Sequence, residues 1–132
     1  MNSNLLYVVG PSGAGKDSLT GGAGNDYFDF TTALSATSNV DTITDFTRGS
    51  DKIRLENAVM TKLQANSGEL ASTAYKEGSG LTKGTDADDR IIYDTKTGKL
   101  YYDADGSGSG ASVQIALIAS AKDLDYTDFL VM

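Results

Sequence analysis

The chain has 132 residues, enough for one domain with a modest core. Its net charge of −7 and pI near 4.3 argue against nucleic acid or anionic membrane as partners and favour a cation. With neither cysteine nor histidine it has no disulfides, no Ser-His-Asp or Cys-His catalysis and no ordinary zinc ligand set. No run approaches the ~20 apolar residues of a membrane span, and no Sec-type signal peptide opens the sequence.

Leu5 to Val9 reads as a short apolar strand, turned by Gly10 and Pro11. The next residues, Gly10-Pro-Ser-Gly-Ala-Gly15-Lys16, spell the G-x-x-x-x-G-K of a phosphate-binding P-loop. In that reading Gly10, Gly15 and Lys16 hold phosphate, with Asp17 where a magnesium-binding Ser or Thr belongs. Residues 3–19 resemble the opening of the ribose bisphosphate phosphokinases. A P-loop needs a helix after its lysine, and Gly21, Gly22 and Gly24 oppose one. No later segment offers the parallel βαβ units of such a kinase. A nucleotide-binding, kinase-like protein is therefore the alternative reading, as is a junction between a P-loop start and a different tail.

The same stretch contains two nonapeptides, SGAGKDSLT at 12–20 and GGAGNDYFD at 21–29. Gly13 lies over Gly22, Gly15 over Gly24 and Asp17 over Asp26. This is the period G-G-x-G-x-D-x-U-x of a calcium-binding parallel β-roll. Glycines permit the tight turn and leave carbonyls free to face an ion, and aspartate adds the charged oxygen that Ca²⁺ prefers. The candidate metal ligands are Ser12, Gly13, Gly15, Asp17, Gly22, Gly24 and Asp26, with Leu19 and Phe28 facing inward. The first repeat departs at Ser12, and Lys16 sets a cation beside its site.

On these repeats the chain resembles the RTX (repeats-in-toxin) family. The resemblance implies bound Ca²⁺ that couples to folding, and an extracellular location. It also implies a monomer, or a fragment of a larger secreted protein, that uses type I secretion machinery.

Residues 31–39 form a small polar connector. Residues 40–55, VDTITDFTRGSDKIRL, alternate as a half-buried strand around a turn at Arg48-Gly49-Ser50-Asp51. This block is similar to the segment after the last roll repeat in serralysin-type proteases, and the resemblance assigns closure of the last calcium site to Asp41, with Asp45 second. Residues 56–80 carry little signal beyond a turn or short helix at 58–63 and a break at Gly78-Ser79-Gly80.

Residues 90–94, 99–103 and 112–118 read as a three-strand antiparallel meander, the first turn closing at Gly98. Its wording closely resembles the C-terminal segment of many RTX proteins. Asp103-Ala-Asp105-Gly-Ser looks like an EF-hand start, but position 12 is Gln114 instead of Glu and the flanks are strands, so a turn is expected. The ending, 120–132, is similar to the uncleaved signals of type I secretion and also reads as a closing strand.

The expected fold is all-β: one domain over 1–132, with a short calcium-binding parallel roll at 12–30 continuing into an antiparallel sheet or sandwich over 40–131. One to three ions are expected. The expected function is that of a non-catalytic, secreted calcium-binding module without membrane insertion.

Overall fold

The structure, a computed structural model, describes residues 5–9, 18–22, 24–30, 40–64, 66–121 and 123–132. Among these residues eleven strands form two mixed sheets, and no helix is long and apolar enough to cross a membrane. In chain order the strands are β1 (Leu5–Val9), β2 (Ser18–Leu19), β3 (Asn25–Phe30), β4 (Asp41–Ile43), β5 (Lys52–Leu55) and β6 (Gly68–Glu69). Then come β7 (Tyr75–Gly78), β8 (Ile91–Asp94), β9 (Lys99–Tyr102), β10 (Val113–Ile118) and β11 (Phe129–Val131). One sheet has the order β1-β3-β5-β11-β6 and the other β2-β4-β10-β9-β8-β7.

The chain alternates between the sheets from β1 to β5, and each strand pairs in parallel with the strand two places on: β1 with β3, β2 with β4, β3 with β5. That is the winding of a parallel roll. It extends beyond 12–30 in both directions. The apolar run Leu5–Val9 is its first strand, paired from Leu5↔Asn25 to Val9↔Asp29. After β5 the chain leaves the roll for residues 56–112, then returns as β10 beside β4 and β11 beside β5, both parallel. The antiparallel part is confined to β8-β9-β10 and the short β6-β11 pair.

Register explains the core. Phe28 pairs with Ile53 and Ile53 with Phe129, while Phe30, Leu55 and Val131 form the next rung. In the facing sheet Leu19, Ile43 and Ile118 align. All nine are buried within one apolar cluster. Period-two alternation sends these side chains inward and leaves Lys52 and Arg54 on the outer face. Burying each such side chain is worth about 1.5–3 kcal/mol relative to exposure. The C-terminal strand is therefore interior to its sheet, with β5 on one side and β6 on the other, and Met132 N–H donates to Leu55 O.

Residues 56–80 hold more order than their sequence suggests. Met60, Leu63 and Leu70 are buried in the core, and Tyr75 packs on Phe129 with ring centroids 5.4 Å apart.

Candidate metal centre

The two-sheet winding sorts the turns onto two opposite rims. Residues 20–24 carry the chain from β2 to β3, 44–51 from β4 to β5, and 119–128 from β10 to β11; these three turns share one rim. The start of β4 lies on the other.

On the first rim, Gly22 and Gly24 adopt φ of +82° and +93°, the left-handed region that glycine enters without penalty. Asp26 is wholly buried, and a Cβ built on Gly21 would collide with its carboxylate. The glycine at 21 is thus required by the close approach of Asp26. The next coil supports this turn. The Asp45 carboxylate accepts from the Gly21 and Gly22 N–H groups at 2.9 and 2.7 Å. Asp51, also buried, accepts from Asp26 N–H at 3.0 Å and from Thr47 N–H at 2.8 Å. Asp45 and Asp51 are therefore committed to backbone donors. Asp29 is likewise committed: Arg54 grips it with two hydrogen bonds of 2.7 Å and lies 4.6 Å from the Tyr27 ring centroid.

The structure brings Gly22, Gly24 and Asp26 together and places Asp41 elsewhere. Asp41 is 1 % exposed and begins β4 on the opposite rim, in register with Ala116. Gly10, Ser12, Gly13, Gly15, Lys16 and Asp17 lie outside the described residues. The pairing Ser18↔Thr42 and Leu19↔Ile43 sets the coil spacing at this point to 24 residues rather than the 18 of two nonapeptides, because the connector lengthens the coil. Among the described residues no three acidic side chains converge as a metal cage. A cation at the Asp26 turn would draw mainly on backbone carbonyls. The donor chemistry, oxygen alone with a buried carboxylate, suits a hard cation.

Residues 18–30 also bear on the phosphate-binding reading. From Ser18 on, the residues that would continue into a helix instead form β2, a glycine turn and β3.

The Asp103-Ala-Asp105 stretch is a hydrogen-bonded loop between β9 and β10. Buried Asp103 accepts from Gly84 N–H at 2.8 Å and from Asp105 N–H at 3.2 Å, and Asp105 accepts from Gly110 N–H at 2.7 Å. The Gly110 N–H holds the Asp105 carboxyl below its usual range. Asp94 does similar work at the β8–β9 turn. Burial pushes its carboxyl up, but the Thr97 hydroxyl and the N–H groups of Gly80 and Lys96 together outweigh that and hold it low. Sequence reasoning missed this role of Asp94, although the D-x-x-T-G spacing of a side-chain-capped turn was available.

A comparison with curated proteins returned no match. The family model described as "Peptidase M10 serralysin C terminal" matches residues 8–131. That span takes in the roll, the excursion and the closing strands alike, so the chain belongs to the serralysin C-terminal family, a family of calcium-binding RTX modules.

Proposed function

We propose that this chain is a secreted, non-catalytic module of one domain that folds on binding Ca²⁺. The observation that carries the reading is Asp26, wholly buried against Gly21 in a turn whose Gly22 and Gly24 take positive φ. Ca²⁺ accepts six to eight oxygens, and Asp26 with carbonyls of the 20–24 turn supplies part of that shell. Asp41, and from the repeat pattern Ser12, Gly13, Gly15 and Asp17, are the further candidate ligands. Residues 120–132 serve as the type I secretion signal, read on the unfolded chain before β11 forms. Scarce cytosolic calcium keeps the chain unfolded for export, and extracellular calcium then folds it.

Thermal melting tests this. EDTA is expected to lower the melting temperature well beyond any ionic-strength effect, and Mg²⁺ is expected not to restore it, because its small octahedral shell suits carbonyl-rich turns poorly. Equal melting in EDTA and in millimolar calcium would falsify the reading. For export, residues 120–132 fused to a reporter should support its secretion through a type I system; retention of the reporter would remove that part.

A further inference from the structure

We infer that the open edge of β7 is a docking site for an extended, lysine- or arginine-rich peptide segment, which adds to the sheet as a further strand. β7 is the last strand of the six-stranded sheet, and among the described residues no strand pairs with its outer edge. Ala74 O accepts from Arg90 N–H, and Gly78 O accepts from Thr95 N–H. These carbonyls face β8, so backbone alternation turns the carbonyls of Tyr75 and Glu77 and the Glu77 N–H outward. Unpaired groups of this kind are what a bound strand satisfies.

Two grooves, of about 670 and 460 Å³, meet at this edge and share Ser72, Tyr75 and Lys76. Their charge selects the occupant. The first is walled by Glu77, Asp123 and Asp125, the second by Asp86, Asp88 and the buried Asp89. Two cations stand against these six carboxylates, and both are already engaged. Lys76 pairs with Asp86 at 3.6 Å, and Arg48 pairs with Asp125 and Asp128 at 3.5 and 3.6 Å. The floor is firm: the Tyr75 ring packs on Phe129, and its hydroxyl donates to Glu77 at 2.9 Å. A second copy of this chain is disfavoured at the edge, because two chains of net charge −7 repel. A basic strand instead gains backbone pairing at its centre and carboxylate contacts on both flanks.

The test is titration of the folded chain with an alternating Lys-Val octapeptide, read by backbone amide shifts and hydrogen exchange. Binding should perturb residues 75–78, slow exchange of the Glu77 amide at least tenfold, and weaken several-fold between 50 and 200 mM salt. The Glu-Val counterpart should not bind. Asp86→Asn with Asp88→Asn should weaken binding about tenfold, whereas Glu56→Gln with Glu69→Gln, equal in charge but outside both grooves, should change it less than twofold. Equal losses from the two double variants would mean diffuse attraction to an acidic protein and would overturn the site, as would an unprotected Glu77 amide. Self-association through residues 75–78 without peptide would overturn the choice of occupant. None of these outcomes depends on calcium ligation at Asp26.

Discussion

Two turns on the same rim, 20–24 and 119–128, carry the chain between the same two sheets by different means. The first has glycine at three of its five positions and encloses a buried carboxylate, Asp26. The second is tied by the protein's own cations. Lys52 Nζ donates to Thr127 O at 2.6 Å, and Arg48 reaches both Asp125 and Asp128. Asp125 and Asp128 also form a capping box around the 3₁₀ turn Tyr126–Asp128. One turn thus neutralises its acids with side-chain cations, and the other carries its buried acid on a glycine-rich backbone, where the proposed calcium would bind. The lesson is that calcium dependence should be local, concentrated where glycine has replaced every side chain able to supply charge.

The largest expected effect breaks this symmetry outright. Removing calcium should raise exchange of the 20–26 amides far more than that of 119–131. An ion present ~100-fold above its Kd contributes about 2.7 kcal/mol. Asp26→Ala should reproduce that loss and remove the calcium response of the 20–26 amides. Asp94→Ala should also destabilise the protein, because Asp94 satisfies three donors, but by the same amount in calcium and in EDTA. If both variants lose the calcium response alike, the dependence is global and the contrast between the two turns disappears.

Next comes Gly21→Ala. The added Cβ would collide with the Asp26 carboxylate, and overpacking of this kind costs about 1–3 kcal/mol. Melting should fall and the midpoint of a calcium titration should rise; a variant with the parent's melting temperature and midpoint would show that Asp26 does not need the glycine.

At the other turn, Lys52→Met keeps the aliphatic stem and removes the charge-assisted bond to Thr127 O. The cost should be about 1.5 kcal/mol, at the low end for a charged donor because Lys52 is half-buried. Chemical denaturation should give the same loss with and without calcium. The exposed Arg48 pairs should contribute less, under about 1 kcal/mol.

The smallest effect is one of pH. Burial raises the Asp128 carboxyl above its usual range, against the pull of Asp125 N–H, Arg48 and Lys52. The folded state therefore holds this proton more tightly than the unfolded chain. The Asp128 contribution is present in full below the ordinary carboxylate value of about 3.9 and is lost as pH rises through the elevated folded value. Asp128→Asn keeps an acceptor for Asp125 N–H and should flatten that part of the stability profile. An unchanged slope above pH 4 would exclude Asp128 as its source.

Much of this architecture was legible in the residues. The nonapeptide at 21–29 announced its turn because only glycine tolerates the positive φ at Gly22 and Gly24, and the meander at 90–118 announced itself through alternation and Gly98. Residues 56–80 were opaque. Met60, Leu63 and Leu70 show no period, since each drops into the core from an irregular segment, and β7 has only four residues.

By itself the sequence determined the all-β class, the oxygen-only donor chemistry and the acidic charge, because these follow from residue types and local spacing. Tertiary structure alone decided which strands meet. β10 and β11 complete a coil that the chain left at Leu55, because Ile118 and Phe129 bury best beside Ile43 and Ile53, and no local signal encodes a pairing across more than fifty residues. It also decided that Asp26 and Asp41, fifteen residues apart in a single acidic pattern, stand on opposite rims. A roll reverses its rim at every strand, and only the count of strands between two residues tells which rim each one occupies.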